Sequence, residues 1–118
     1  MDIIFIDDFR LEILVGIYEW EKRVPQAVRF DLEIGIPGRR AAHSNAIDDT
    51  IDYAKVVSRI EQSLRENHFS LLEALAEHVA RLIIEQFQSP WVKVSVAKLA
   101  PLRHVKRLGV TIERGSRS

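Results

Sequence analysis

Apolar and polar residues alternate with a period of two along the first part of the chain, the pattern of β-strands with one buried face. Ile3–Val15 suits one such strand. A second and cleaner alternation, Val28–Ile36, is closed by the turn-forming pair Pro37-Gly38. We predict that these two strands pair antiparallel. Their connection, Ile17–Pro25, is longer than a tight hairpin needs, and such extra length is often where function lies.

The apolar period changes to that of a helix from residue 52 onward. Asp52 is placed to cap a helix that begins at Tyr53, the first core residue by phase, and ends near Asn67. A second helix opens in residues 70–73 and stops before Ser89-Pro90. The two helices are therefore predicted to follow one another directly.

The strand that follows, residues 91–98, carries a lysine where its pattern asks for an apolar residue. The valines at alternate positions from 92 to 96 share one face, and Lys98 ends that face. An amine on the buried side of a sheet loses hydration of its charged form, which makes Lys98 a candidate proton acceptor or nucleophile. The alternative is a strand end at which the stem packs and the ammonium reaches water, and on pattern alone this alternative is the commoner one.

A last strand, with apolar residues at 108, 110 and 112, ends near Arg114-Gly115. The predicted order is strand, strand, helix, helix, strand, strand. It indicates an α+β fold in which a four-stranded antiparallel sheet carries both helices on one face. Residues such as Leu14 and Trp91 add apolar surface at the open face or edges of such a sheet, so we also predict contact with another subunit.

Length and composition narrow the classes of function. The chain has 118 residues, with 17 basic and 17 acidic side chains and hence no formal net charge. We therefore expect residues 1–118 to form a single domain that self-associates and that binds neither nucleic acid nor a membrane. Cysteine is absent, the N-terminus has no basic segment, and no apolar run approaches the ~20 residues of a bilayer span, which predicts a soluble cytoplasmic protein.

Several familiar motifs are missing from the sequence. It has no Gly-x-Gly-x-x-Gly, no phosphate-binding loop and no Gly-x-Ser-x-Gly. Its histidines never form a His-x-x-x-His pair, so we expect each on the surface or at a cap and predict neither a metal nor a cofactor. The histidines are His43, His68, His78 and His104.

Three other groups have both a structural and a chemical interpretation. Glu73 closes Ser70-Leu71-Leu72-Glu73, which matches a capping box, yet a carboxylate at a helix start also suits a flat heterocycle with adjacent N–H donors. Tyr53 belongs to the core by phase, and its hydroxyl is the functional option. Glu21 precedes Lys22-Arg23 and would ordinarily be a solvated charge.

Four segments together resemble the bacterial dihydroneopterin aldolase family of folate biosynthesis. In order they are Gly16–Glu21, Asp49–Tyr53, Ser70–Glu77, and Lys98 followed by Gly109–Gly115. The resemblance spans nearly the whole chain and implies the tunnelling fold, whose subunit runs ββααββ. In that fold four subunits close their sheets into a barrel, two such rings stack as an octamer, and the sites lie between neighbouring subunits.

The resemblance also implies how a pterin substrate is bound. Glu73 would pair with the 2-amino and N3 groups of the pterin, with the Leu72 backbone beside it. Tyr53 would stack on the pterin from the adjacent subunit and use its hydroxyl in proton transfer. Ile17 and Ile51 would line the pocket through their main chain.

By the same resemblance, Lys98 and Glu21 surround the trihydroxypropyl tail, with Lys98 as the general base acting through water. The reaction is retro-aldol cleavage of 7,8-dihydroneopterin between C1′ and C2′, which gives 6-hydroxymethyl-7,8-dihydropterin and glycolaldehyde. The conjugated N5=C6 imine accepts the electrons, so the reaction requires neither a metal nor a lysine Schiff base. The implied catalytic residues are Lys98, Tyr53 and Glu21.

One segment departs from the family's aldolases, which usually follow the lysine with proline. Here the segment reads Lys98-Leu99-Ala100-Pro101-Leu102-Arg103, closer to the sister dihydroneopterin triphosphate 2′-epimerase, in which Lys-Leu and Leu-Arg recur. We expect an aldolase, with epimerisation at C2′ as the alternative or a side activity, and Arg103 leaves a triphosphate preference open. The alternative of a different class is a non-catalytic, ring-forming pterin-binding protein.

Overall fold

The chain forms an antiparallel sheet of four long strands. A computed structural model describes residues 1–117, and the strands follow one another across the sheet in chain order. They are β1 (Ile3–Ile13), β2 (Gln26–Gly35), β3 (Trp91–Leu102) and β4 (Val105–Gly115). All neighbouring strands are antiparallel, so the predicted sheet is confirmed.

Two long helices cover one face of this sheet, as the change of period predicts. The two long helices are α2 (Tyr53–Glu66) and α3 (Leu72–Phe87), and a short helix, α1 (Arg40–Ser44), precedes them. Helix α3 lies over β3 and β4, and α2 lies against β1. The short α1 and two 3₁₀ turns, Glu19–Lys22 and Ile47–Asp49, are additions to the predicted order. None of the helices within residues 1–117 combines the length and apolar character that a membrane span needs.

The core lies between the helices and the inward face of the sheet. Its sheet side consists of side chains that are at most 1% exposed, namely Val28, Phe30, Leu32, Ile34, Val92, Val94 and Val96. Its helix side includes Val56, Ile60, Leu75, Val79 and Ile83. Burying a side chain of this size stabilises the fold by roughly 1.5–3 kcal/mol. The valine face of β3 that Lys98 ends is therefore confirmed as buried.

Strand β1 differs from the prediction in its end and in its middle. It stops at Ile13 rather than Val15, and its register with β2 shifts between Ile6 and Phe9. A bulge adds a residue to one strand and so reverses the alternation beyond it. Asp8, with φ of 56°, adopts a left-handed conformation at this bulge. As a result, even-numbered residues before the bulge and odd-numbered residues after it pack against the core.

Trp91 does not provide the open apolar surface that its position in the sequence suggested. It is only 2% exposed, and the Arg117 guanidinium lies 4.8 Å from the centroid of its ring. Leu14 is half-buried. On the face away from the helices, the apolar exposure comes instead from Phe5, which is 74% exposed. The expectation that Trp91 adds solvent-exposed apolar surface was thus wrong, because Arg117 near the end of the chain packs over its ring.

The expectation that every histidine lies on the surface or at a cap is wrong for His78. Its Nε2 lies 2.5 Å from Ser63 Oγ, and its ring packs on Phe69 with centroids 5.0 Å apart. Burial and then the nearby charge of Arg59 lower the pKa of His78. This polar pair joins α2 to α3 across the core.

Candidate active site

A cavity of about 330 Å³ lies where the loop after β1, the start of α3 and the β3–β4 hairpin meet. We call it the pocket. Its lining consists of Gly16, Ile17, Tyr18, Trp20, Glu21, Gln26, Ser70, Leu71, Leu72, Lys98, Pro101, Leu102 and Leu108. Two larger depressions, of about 470 Å³ each, lie on the open face of the sheet, and their linings contain none of the predicted site residues.

The pocket holds an ion pair between Lys98 and Glu21. Lys98 Nζ lies 2.6 Å from Glu21 Oε2, and the two side chains are only 16% and 5% exposed. Glu21 is therefore not the solvated charge that its sequence neighbours suggested. The turn Glu19–Lys22 folds the loop back over the sheet and brings the carboxylate under cover.

Glu21 accepts hydrogen bonds at both carboxylate oxygens. Gln26 Nε2 donates to Oε2 at 2.9 Å, and the Tyr18 backbone N–H donates to Oε1 at 3.2 Å. Burial alone would raise the pKa of Glu21, but the hydrogen bonds from Lys98, Gln26 and Tyr18 outweigh burial and hold that pKa below its ordinary value. The carboxylate is thus kept ionised beside the lysine.

Gly16 makes this arrangement sterically possible. Its φ is +132°, and a Cβ built at this position would overlap the Glu21 carboxylate. Its backbone N–H donates to Phe69 O at 2.9 Å, next to the bridge between Val15 and Phe69. The loop after β1 is therefore tied to the segment that leads into α3, which brings Ile17 and Leu72 to the same pocket.

Gln26 is a site residue that the sequence interpretation missed. Its Nε2 donates both to Val15 O at 2.6 Å and to Glu21 Oε2 at 2.9 Å, so it holds the carboxylate against the segment that follows β1. The signal that could have identified it is the one that identified Lys98. Gln26 is in phase with the buried face of β2, and the next residue on that face, Val28, pairs with Lys98 across the sheet.

The capping-box interpretation of Glu73 is wrong. Helix α3 begins at Leu72 with Leu71 as its N-cap, and no side chain caps it. Glu73 is therefore the second helical residue and not the third, which a capping box requires. Its side chain is exposed and does not line the pocket, although the adjacent Leu72 does.

Tyr53 and Ile51 also lie outside the pocket. Asp52 caps α2 as predicted, accepting from the Ala54 backbone N–H at 3.1 Å. Tyr53, however, is 61% exposed, because the first turn of α2 extends beyond the edge of the core that Val56 begins. Ile51 is buried and only 3% exposed. The core interpretation of Tyr53 is thus wrong.

The predicted site residues fall into two groups. Lys98, Glu21, Ile17 and Leu72 meet in the pocket, whereas Tyr53, Ile51 and Glu73 do not line it. Within residues 1–117, no three or more His, Asp or Glu side chains are grouped so that they could hold a metal ion. The chemistry that the pocket offers on its own is proton transfer at a lysine whose charge is balanced by a fixed carboxylate.

Comparison with known proteins identifies the family of this chain. A family model for dihydroneopterin aldolase (FolB) matches residues 4–113. The chain is 34% identical over 116 residues to dihydroneopterin aldolase of Escherichia coli K12, covering 98% of this chain and 95% of that protein. It is 32% identical over 110 residues to dihydroneopterin triphosphate 2′-epimerase of the same organism, covering 93% of this chain and 92% of that protein.

The fold agrees with a solved structure of that family. The crystal structure of E. coli dihydroneopterin aldolase in complex with neopterin superposes with a TM-score of 0.91 at 35% identity, covering 98% of this chain and all of that one (100%). The likeness therefore extends from sequence to the arrangement of all four strands and both long helices.

Proposed function

The chain belongs to the dihydroneopterin aldolase family, and we propose that it cleaves 7,8-dihydroneopterin in the pocket that holds Lys98 and Glu21. It is an aldehyde-lyase. The observation that supports this site is the ion pair at 2.6 Å between two largely buried side chains in the pocket lining. A buried charged pair beside a cavity is a feature of catalytic sites.

Cleavage breaks the C1′–C2′ bond of the substrate. The 2′-hydroxyl loses its proton, its oxygen becomes the carbonyl of glycolaldehyde, and the bonding electrons move into the conjugated N5=C6 imine. The resulting enol-like intermediate is then protonated at C1′ to give 6-hydroxymethyl-7,8-dihydropterin. A base, and later an acid, placed beside the tail are sufficient for these two proton transfers.

Lys98 is the proposed base, acting on the 2′-hydroxyl through a water molecule. The base is the neutral amine of Lys98. The ion pair with Glu21, 2.6 Å away, is the state that follows proton uptake, in which the carboxylate balances the new positive charge. The pair thus links proton uptake to a fixed counter-charge, as the carboxylate of a hydrolase triad does for its histidine. Gln26 keeps Glu21 in place for this purpose.

The pterin ring is assigned to the start of α3. The Glu73 carboxylate pairs with its 2-amino and N3 groups, beside the Leu72 backbone. Glu73 lies in the first turn of α3, where the helix dipole favours negative charge. Ile17 and Leu72, both in the pocket lining, form the adjoining wall, and Ile51 contributes main chain.

A neighbouring subunit supplies Tyr53 in this proposal, which makes the enzyme a homo-oligomer, with an octamer of two tetrameric rings as the expected form. The support is exposure: Tyr53 is 61% exposed, and around the pocket Trp20 and Leu102 are 54% and 61% exposed. Apolar surface of this kind indicates a contact surface. We further propose that residues 1–118 act as a single domain. The cytoplasmic location stays a prediction.

The test is direct. Incubation with 7,8-dihydroneopterin should release glycolaldehyde and 6-hydroxymethyl-7,8-dihydropterin in equal amounts. Accumulation of the C2′ epimer without glycolaldehyde would contradict the aldolase proposal and favour the epimerase. That second candidate has a specific basis in the 32% identity to the triphosphate epimerase and in the Lys98–Arg103 segment.

A further inference from the structure

The β3–β4 hairpin beside the pocket carries unbalanced positive charge. No acidic residue occurs between Glu85 and Glu113, whereas the hairpin end contains Arg103, Lys106 and Arg107. None of these three side chains forms an ion pair within residues 1–117. Several other arginines of the chain have a carboxylate close by, among them Arg10, Arg29, Arg65, Arg81 and Arg114. The hairpin end is thus a cationic surface without its own counter-charges.

Strand phase directs these basic residues to different faces. The register shift in the hairpin adds a residue to β3, where Ala100 has a φ of 49°, so the alternation along β4 continues unbroken. Leu108 lines the pocket, and Lys106, two residues earlier, shares its face. Arg107 lines a depression on the opposite face of the sheet.

Lys106 lies within reach of the proposed reaction centre. Leu108 pairs directly with Lys98, and Lys106 lies two residues before Leu108 on β4, about 7 Å away along the strand. Pro101 and Leu102, which line the pocket on this side, precede Arg103 at the hairpin turn. A substrate tail that extends past Lys98 along this wall of the pocket would meet Arg103 and Lys106.

We infer that Arg103 and Lys106 recognise a phosphate ester at the 3′ end of the substrate tail, so that the preferred substrate is a phosphorylated dihydroneopterin. The inference rests on the proposed function. Arg and Lys are the usual partners of phosphate, and a free cationic hairpin leaves their donors available. The 3′-oxygen is one carbon beyond the 2′-hydroxyl, on the side away from the pterin. The identity to a relative named for a triphosphate substrate points the same way.

Substrate preference tests this inference. The ratio of kcat/KM for 7,8-dihydroneopterin 3′-triphosphate to kcat/KM for 7,8-dihydroneopterin should be about tenfold or more in the native chain, as expected for charge-assisted hydrogen bonds. The double variant Arg103→Gln/Lys106→Gln should bring that ratio close to one. Arg107→Gln removes the same charge from the same hairpin on the opposite face, and it should leave the ratio unchanged. A native ratio of one or less, or an equal loss in the Arg107 variant, would overturn the inference.

Binding separates this inference from the proposed function. The affinities for neopterin and neopterin 3′-triphosphate, measured by calorimetry, need no turnover. A chain that cleaves neither substrate but binds the triphosphate tighter, and loses that difference in the double variant, keeps the phosphate site and contradicts the aldolase. A chain that cleaves dihydroneopterin with equal affinity for both ligands keeps the aldolase and contradicts the phosphate site. Thermal unfolding of each variant confirms that it is folded.

Discussion

Two sets of ion-paired side chains in this molecule have similar contact distances but differ in how far they are buried. The pocket pair, Lys98 and Glu21, lies 2.6 Å apart with exposures of 16% and 5%. The second group surrounds the bulge of β1, and its members are 23–72% exposed. This bulge cluster consists of Asp7, Asp8, Arg10, Arg29 and Asp31. Distances in the cluster are as short as 2.7 Å, so burial and not contact length distinguishes the two groups.

The difference is between a buried pair with fixed partners and an exposed cluster whose members share partners. In the bulge cluster the aspartates share hydrogen-bond partners. Burial alone would raise the pKa of Asp31, but hydrogen bonds from Arg29 and Asp7 outweigh burial and lower it to about 2. The pKa of Asp7 is raised by its hydrogen bond to Asp31. Water and other members can replace any one partner there. In the pocket, Glu21 has fixed donors and Lys98 is its only charged partner among the ion pairs of residues 1–117. Removing one member therefore has different consequences in the two places.

Lys98→Ala should have the largest effect on activity. If Lys98 is the base, kcat should fall by roughly 10²–10⁴-fold, while affinity for neopterin changes little because the pterin is held elsewhere. Glycolaldehyde release and calorimetric titration measure the two quantities. Loss of affinity with kcat unchanged would instead make Lys98 a binding residue.

Lys93→Ala is the matched control for that variant. Lys93 is on the same strand in the opposite phase, 3.7 Å from Glu33 in a pair that is 40% and 42% exposed. Its loss should leave kcat within about twofold. An equal fall in both variants would mean that the pocket pair has no special role.

Gly16→Ala should disrupt the pocket through the backbone. A Cβ at Gly16 would overlap the Glu21 carboxylate in addition to straining a positive φ, so we expect a loss of more than about 3 kcal/mol of stability. Gly38→Ala is the control, since its φ is +82° but a Cβ would meet nothing within 4 Å. It should lose only about 1–2 kcal/mol. Urea unfolding compares them, and equal losses would show that backbone strain alone matters.

Gln26→Met should weaken the pocket pair without removing it. The substitution removes a donor to Glu21 at nearly constant volume, so the pKa of Glu21 should rise towards its ordinary 4.5 and kcat should fall by about tenfold. Gln62→Met on the exposed side of α2 is the control. An unchanged pH–rate profile in the Gln26 variant would contradict its role in positioning Glu21.

The same variant changes how stability depends on pH. Because the folded pKa of Glu21 is below 4.5, the unfolded chain binds more protons between the two pKa values, and stability is lost as pH falls through that window. Raising the folded pKa narrows the window. Gln26→Met should therefore unfold with a shallower pH dependence below pH 4.5 than the native chain.

Period and phase were sufficient to predict the sheet, the helices and the unusual place of Lys98. These features depend on which face of an element is buried, and one-dimensional alternation records that directly. The bulge at Asp8 could not be predicted from the alternation. Its left-handed residue reverses the phase of β1, and the sequence has no glycine there that would indicate such a conformation. The covering of Trp91 depended on Arg117, 26 residues further along the chain.

Glu21 and Gln26 show why part of the pocket could not be derived from the sequence pattern. The burial of Glu21 comes from a loop that folds back on the sheet, and loops have no period to read. Gln26 was in phase with the buried face of β2, but a glutamine at a strand end is common and does not indicate a functional residue unless its partner, Glu21, is known. The resemblance to a known family identified Glu21, and the hydrogen bonds of the folded chain identified Gln26.

Arg10→Ala should have the smallest effect. Arg10 is 59% exposed, and although its hydrogen bond lowers the pKa of Asp8, Arg29 remains 3.4 Å from the same carboxylate. The left-handed Asp8 is held by its own backbone N–H, which donates to Asp31 at 2.9 Å, so the bulge does not need Arg10. The urea midpoint and kcat should both stay at native values in low and in high salt. A salt-dependent loss of stability as large as that of Gly16→Ala would mean that the bulge cluster acts as one unit, and the contrast with the pocket pair would no longer hold.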